Sequence, residues 1–298
     1  MIAVLISTYN GERYIEEQLD SIFSQTVKDF HVYIRDDGST DRTCQVIEDY
    51  MSRHELSDRV TLECGDNIGF CASFFELMKT ADDGDYWAFC DQDDVWMPEK
   101  LEYASAWMRE NDNSKPLLYH SGFEVGNEDL SIRKPYPYTE FDYRFYNSIT
   151  SNIFFGFSVV INRTLRKMLL MVDPSHIKYH DWFAAMITAA FGKYHLSTKI
   201  EAVHRQYADN ASPLYFIKKI PHGFKLLAGE KFYTKQAREF MRLYGDMLPE
   251  EDRRLLGWFQ MERYSFITAC RKAFYRKRWN PQLKVEIVLR VLMLIGVL

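Results

Sequence analysis

Several signatures are missing from this 298-residue chain, and each absence removes a class of protein. No CxxC pair occurs among the five cysteines, Cys44, Cys64, Cys71, Cys90 and Cys270, so neither a zinc site nor a disulfide framework is expected. Their odd number and apolar neighbourhoods predict reduced, mostly packed thiols. No basic leader precedes the apolar run Ile2–Ser7, which predicts a chain of the cytoplasmic side. The apolar tail that ends at Leu298 is broken by Lys284, Glu286 and Arg290 and is too short to span a bilayer. GxGxxG is absent after the first strand pattern, which argues against a dinucleotide-dependent oxidoreductase. Ser7–Glu12 holds one Gly and no Lys, unlike the phosphate loop of a nucleotidyltransferase. There is no internal repeat, no low-complexity tract and no nucleic-acid recognition motif.

What is present supports a folded body. Hydrophobic residues make up 47% and aromatics 15%, which excludes global disorder. At this length the chain holds one large domain, or one domain with a substantial appendage. The formal charge of −5 is unevenly spread: from Arg263 to Arg290 eight Lys or Arg stand against one acid, Glu286. A basic segment on an acidic body predicts a surface that meets anions, either lipid headgroups or a phosphorylated substrate.

Strand and helix signals alternate over the first 125 residues. Ile2–Ser7 is followed by a helical face of Ile15, Leu19, Ile22 and Phe23. Phe30–Arg35 predicts a second strand, closed by the turn and cap cluster Asp36-Asp37-Gly38-Ser39-Thr40. Val46, Ile47, Tyr50 and Met51 mark the next helix. Arg59–Cys64 predicts a strand, Gly69–Thr80 a helix, Asp85–Cys90 a fourth strand, and Pro98 the first position of another helix. Such alternation predicts an α/β fold with a mainly parallel sheet and ligands outside the carboxyl ends of its strands. Residues 126–148, rich in Tyr, Pro and charge, read as a long rim loop of the kind that contacts substrate. A strand at Phe157–Ile161, a helix from about Asp181, strand-like stretches to Tyr207 and helical signals from about Leu214 complete the pattern.

Four polar clusters fall at strand carboxyl ends: Ser7-Thr8-Tyr9-Asn10, Asp36-Asp37, Asp66-Asn67 and Asp91-Gln92-Asp93-Asp94. In an extended segment alternate residues face the same way, so Asp91 and Asp93 can converge on one hard cation that bridges two phosphates. A solvated acidic turn is the bland alternative, and the apolar strand directly before the cluster weighs against it. Asp36-Asp37-Gly38-Ser39 has two readings: a turn with Ser39 or Thr40 as helix cap, or a carboxylate that accepts a hydrogen bond from a nucleotide base.

Ser7 to Glu12, Ser24-Gln25-Thr26, Asp36 to Asp41, Asn67-Ile68-Gly69 and Asp91 to Asp94 stand in the order and spacing of family 2 glycosyltransferases. The chain resembles that family over about residues 1–210. The form Asp91-Gln92-Asp93-Asp94-Val95-Trp96 is similar to the subgroup that includes bacterial rhamnosyltransferases of cell-wall and O-antigen polysaccharides. This resemblance implies a GT-A fold over 1–212 and a helical C-terminal region over 213–298. It implies a nucleotide-sugar pocket of Ser7, Thr8, Tyr9, Glu12, Asn67 and Gly69, with one of Asp36 or Asp37 reading the base. Asp91 would approach the ribose or sugar, and Asp93 would hold Mg2+ or Mn2+. Inversion at the anomeric centre would need a carboxylate base, and the matching position is Asp181 in His180-Asp181-Trp182. There Trp182 would suit a sugar-facing wall, while an ordinary N-cap is the other reading of Asp181. His204-Arg205-Gln206-Tyr207-Ala208-Asp209-Asn210 resembles the family's closing segment, with Tyr207 where a His commonly stands. It leaves His204 as the candidate second metal ligand and Arg205 as a phosphate partner.

Cations and aromatics interleave from Arg271 to Trp279, ahead of the apolar end. That pattern fits a segment lying in a membrane interface, with a packed helix or a dimer contact as alternatives. The expectation is therefore an inverting, metal-dependent glycosyltransferase, peripheral on the inner face of a bacterial membrane. It would move rhamnose from a dTDP donor to a saccharide acceptor, free or lipid-linked. A UDP-hexose donor and a non-catalytic sugar-binding protein are the alternatives, and no nucleic-acid partner is expected.

Overall fold

The structure is a computed structural model and describes residues 1–137, 141–207, 232–261 and 263–298. The chain divides into two compact units: Met1–Tyr136 with Phe154–Leu170 and Tyr179–Tyr207, and Pro137–Ile153 with Met171–Lys178 and Ala208–Leu298. The division is thus not one cut near residue 212, because two internal segments join the C-terminal region.

The first unit is built on β1 (Ile2–Thr8), β2 (Phe30–Asp36), β3 (Val60–Cys64) and β4 (Tyr86–Cys90). Helices α1 (Ile15–Phe23), α2 (Thr43–Arg53) and α3 (Phe70–Thr80) connect them. These four strands pair in parallel in the order β3-β2-β1-β4. Parallel strands covered on both faces read as unbroken apolar runs, and Ala3 to Ile6 are accordingly buried. On α1, Ile15, Leu19 and Ile22 are buried, and on α2 Ile47 and Tyr50 are, with Tyr50 packed on Phe23 of α1. Register aligns Thr8 with Asp36 and Asp36 with Cys64, so the polar ends of three strands lie side by side.

Beyond β4 the sheet is mixed. After β5 (Val95–Trp96), α4 (Lys100–Arg109) and β6 (Leu117–Gly126) come β7 (Arg133–Pro135), α5 (Phe145–Ser148), β8 (Val159–Asn162), α6 (Arg163–Leu169), α7 (His180–Phe191) and β9 (Lys193–Arg205). The order continues β8-β6-β9-β5; β4–β8, β6–β8, β6–β7 and β5–β9 are antiparallel, and β6–β9 is parallel. The expected loop at 126–148 therefore carries a strand and a short helix. Asn127 makes this possible: its backbone N–H donates to the Ile132 carbonyl at 3.1 Å and its side-chain oxygen accepts from the Ile132 N–H at 2.8 Å, closing the β6–β7 hairpin. Pro98 lies two residues before α4 rather than at its first position.

The thiol expectation also changes. Cys44 and Cys64, at the start of α2 and the end of β3, form a disulfide, while Cys71, Cys90 and Cys270 are free. A sequence separation of 20 hid the pairing, which folding brings about by setting the start of α2 beside the end of β3. The second unit contains α5 and four further helices among the described residues: α8 (Phe232–Tyr244), α9 (Glu250–Gly257), α10 (Phe266–Ala273) and α11 (Leu283–Leu294). Its core includes Phe240, Leu256, Phe259 and Trp279. Trp279, expected at an interface, is fully buried.

Candidate active site

The loop after β1 is fastened to the loop after β4. Gln92 accepts from the Tyr9 N–H at 2.8 Å and donates to the Tyr9 carbonyl at 3.0 Å, clamping the first polar cluster to the fourth. Gly11 permits that approach, since a Cβ there would stand 2.3 Å from the Gln92 amide oxygen. Ser7 donates to Ser73 at 2.7 Å, Thr8 is buried, and the Tyr9 side chain is exposed. Glu12 accepts from the backbone and guanidinium of Arg42 and so braces the entry to α2.

Asp36 and Asp37 are both 2% exposed, and both are consumed in building the rim. Asp36 accepts from Thr8 Oγ1 at 2.8 Å and from the backbone and hydroxyl of Ser39. Asp37 pairs with buried Arg35 and accepts from the Ile68 and Gly69 N–H groups at 2.9 and 2.8 Å. Gly38 has φ +79°, and a Cβ on it would meet the Asn67 backbone nitrogen at 2.8 Å. Asp37 therefore holds the Asn67–Gly69 turn, and Asp36 the Ser39 turn beside it.

Three carboxylates follow β4. Asp91 is half-buried, and burial, then the charges of Asp94 and Asp93, hold its pKa well above the ordinary carboxylate range. Asp93 is 8% exposed; burial and Asp94 raise it to about 6, opposed by a 2.7 Å hydrogen bond from Tyr207. Asp94 is fully buried and accepts from His204 Nδ1 at 2.8 Å and the Arg205 N–H at 3.1 Å. Burial alone would lower the His204 pKa, but the charge and hydrogen bond of Asp94, with Asp91 and Asp93, outweigh it and raise the ring to about 9. The ring stacks on Phe157 with centroids 4.4 Å apart, and its Nε2 lies 2.9 Å from the Gln206 amide. His204 is thus engaged as Asp94's partner through Nδ1, while its Nε2 lies against the Gln206 amide nitrogen.

Arg205 is buried against the acidic loop. Its Nε donates to the Asp93 carbonyl at 2.9 Å, its terminal nitrogens to the Glu128 carbonyl and the Glu17 carboxylate, and its plane lies over Tyr14. It braces the acidic loop. Asp209 and Asn210, the end of the closing segment, lie outside the described residues.

Asp181 occupies the first turn of α7, where it accepts from the Trp182 N–H at 2.6 Å. Its charge is the weakest of the influences that raise Asp91, after burial, Asp94 and Asp93. Gly156 lies against this turn: a Cβ there would crowd His180 Nε2 at 3.2 Å and stand in ordinary contact with the Asp181 carboxylate at 3.7 Å. His180 is buried against Phe74 and Phe89 with both ring nitrogens unpartnered, and burial pushes its pKa down to about 3. Trp182 is 6% exposed and belongs to the core, not to a sugar-facing wall.

Sequence reasoning missed Gln92 and Asp94 as working residues. Gln92 was the spacer of the acidic motif, and Asp94's partners lie 110 residues away on β9. Among the described residues no three His, Cys, Asp or Glu side chains converge as a metal cage. A cavity of about 530 Å3 opens at the amino ends of β1 and β4, by Asp29, Asp85 and Arg109, away from the acidic rim.

The family model described as glycosyl transferase family 2 matches residues 3–169. Similar proteins include a dTDP-rhamnosyl transferase, RfbG, of Shigella flexneri, 26% identical over 253 residues that cover 81% of this chain and 85% of that protein. An uncharacterized glycosyltransferase of Nostoc sp. is 37% identical over 101 residues, 34% of this chain and 30% of that protein. Among solved structures, S. aureus TarS 1–349 in complex with UDP-GlcNAc has a TM-score of 0.61 at 20% identity, covering 99% of this chain and 81% of that one. The mannosyltransferase PcManGT of Pyrobaculum calidifontis, in complex with GDP-Man and Mn2+, has a TM-score of 0.52 at 17% identity over 99% and 74% of the two chains. At such identities the likeness establishes the fold, which is the GT-A fold. The matched segment takes in all four parallel strands and the acidic cluster that follows them, and the chain belongs to glycosyl transferase family 2.

Proposed function

We propose that the chain transfers a sugar, with inversion, from a nucleoside diphosphate donor to a hydroxyl of a saccharide acceptor. The observation that carries this is the crowding of Asp91, Asp93 and Asp94 at the end of β4, with Asp181 close enough to add to their repulsion. Such a cluster repels a diphosphate unless a cation is present. The donor chemistry fits Mg2+ or Mn2+, which bind through one or two carboxylates and complete their shell with substrate phosphates and water rather than needing a protein cage. Asp93, with its neighbour Asp91, would hold the ion, and the ion would neutralise charge on the leaving diphosphate. His204 and Arg205 keep the acidic loop in place. Asp181 takes the proton from the acceptor hydroxyl as its oxygen bonds to the anomeric carbon; the bond from that carbon to the diphosphate oxygen breaks, and the nucleoside diphosphate leaves with the electron pair.

Rhamnose from a dTDP donor is the favoured substrate, supported by the similarity to RfbG along most of both chains. A UDP-sugar is the second reading, supported by TarS, whose structure holds UDP-GlcNAc. The acceptor is a saccharide, lipid-linked and reached at the inner membrane face. No helix among the described residues is long and apolar enough to cross a membrane, so such contact would be peripheral. A thermal-shift screen of nucleotide sugars with and without Mn2+ tests the reading. A ligand that binds the folded state raises its melting temperature, and the expected shift needs sugar nucleotide and metal together. No shift and no donor turnover with any nucleotide sugar would overturn it.

A further inference from the structure

The last two helices bury Ala269, Ala273, Leu289 and Met293 yet keep a large part of their apolar surface outward. In α10, Ala269 and Ala273 turn inward, whereas Phe266, Ile267 and Phe274 are 67%, 66% and 74% exposed. These three, with Cys270, recur at the three- and four-residue spacing that puts side chains on one helix face. On α11 the buried positions include a charged one, Glu286, whereas Ile287, Val291 and Ile295 stand more than half exposed. A free helix pair would reverse this choice, because each large apolar side chain left in water forfeits roughly 1.5–3 kcal/mol of burial.

Polar ties fix the arrangement from the inner side. Glu286 accepts from Arg290 Nε at 2.5 Å and from the Asn280 N–H at 2.9 Å. Arg290 also donates to the Ala273 and Lys277 carbonyls, joining the helices. Buried Trp279 donates to the Lys272 carbonyl at 2.9 Å. The outward apolar faces are therefore held out, not merely left over.

Charge identifies what covers them. Arg271, Arg276, Arg278 and Lys284 are exposed beside these faces and make no ion pair among the described residues. A second copy packed symmetrically would set these cations against their own counterparts, at a cost in repulsion. An anionic bilayer satisfies both features, since apolar side chains enter the acyl boundary while Lys and Arg meet headgroups. We propose that the outward faces of α10 and α11 dock this chain on an anionic lipid surface. This deepens the membrane part of the reading above and names its residues; the transferase reading does not depend on it.

Flotation of the full chain with vesicles of phosphatidylcholine, with and without phosphatidylglycerol, tests it without any donor. The chain should float with the anionic vesicles, weakly with the neutral ones, and raised salt should release it. Ile287→Glu with Val291→Glu should cut recovery by at least about tenfold. Because both positions face solvent, the melting temperature and donor-induced shift of this variant should be unchanged. Arg271→Gln with Arg278→Gln and Lys284→Gln should lower binding and flatten its salt dependence. No flotation with anionic vesicles would overturn the proposal. So would a wild-type dimer that Ile287→Glu with Val291→Glu dissociates while vesicle binding persists. Failure in vesicles with an intact donor shift would leave the transferase reading standing, and the reverse holds equally.

Discussion

Three carboxylates in four residues, two of them in the buried class, compete for one counter-ion, and that competition fixes what each can do. Asp94 wins His204 outright, which leaves Asp93 with a neutral phenol as its partner and a pKa raised to about 6. At pH 7 its ionised form costs the fold roughly 3 kcal/mol, because a carboxyl raised above its unfolded value is favoured only when protonated. Asp93→Asn should therefore melt no lower than the wild type at pH 7 without metal. The same variant should lose Mn2+-dependent donor binding, since an amide cannot supply the charge. A wild-type donor shift in Asp93→Asn would remove Asp93 from the metal site. The sequence made the acidic motif and Asp181 legible, because both announce themselves through local context: a strand before one, a helix start around the other. It could not distribute roles among Asp91, Asp93 and Asp94, nor show that Asp36 and Asp37 are spent on the rim. Those facts depend on Ser39, the Ile68–Gly69 backbone and His204, partners that only folding brings near.

At the scale of elements, the site is an agreement between β1, β4, β9 and α7. The strands β1 to β4 were legible because apolar runs bounded by turn chemistry are unambiguous when they alternate with helical faces. β6 was not, because His120, Ser121 and Gly122 interrupt its apolar pattern. Each has a local reason: His120 meets Ser158 at 2.7 Å, Ser121 accepts from buried Lys100 at 2.6 Å, and a Cβ on Gly122 would strike the Lys199 carbonyl at 2.3 Å. Because Asp181 stands on α7 and the acidic cluster follows β4, donor binding and proton removal should be separable. Asp181→Asn should leave the donor-induced shift nearly intact and lower turnover by about 10²–10⁴. A collapse of donor affinity in that variant would make Asp181 part of the binding surface. The Cys44–Cys64 bridge ties α2 to β3 across 20 residues, a loop whose closure is worth about 3 kcal/mol in the chain-entropy treatment. Cys44→Ser should therefore melt several degrees lower, and reductant should lower the wild type but not the variant.

Taken whole, the first unit sets buried His120 and His180, whose pKa values burial lowers, against His204, and this shapes how the molecule answers to pH. His180 is held neutral with its pKa near 3, so the folded state refuses a proton that the unfolded state takes below about 6.5. Its contribution is present above that pH and lost as pH falls, a loss that the raised Asp91 and Asp93 partly offset because they favour the protonated, folded form. His204 works in the other direction, with its pKa raised to about 9. Its stabilising contribution is complete below about 6.5 and disappears as pH rises through 9, a change of roughly 3 kcal/mol. The acid limb should follow His120 and His180, softened by Asp91 and Asp93, and the alkaline limb should follow His204, with Lys100, lowered to about 8 by burial, opposing it only above that pH. Between pH 6.5 and 9 the melting temperature without metal should fall by about 5–10 °C. Removing His204 alone would strand the Asp94 charge, so the clean comparison is Asp94→Asn with His204→Gln, which deletes the pair together. That double variant should show a clearly flatter profile over the same window. An equally steep fall in it would mean that the pH response lies outside the Asp94–His204 pair.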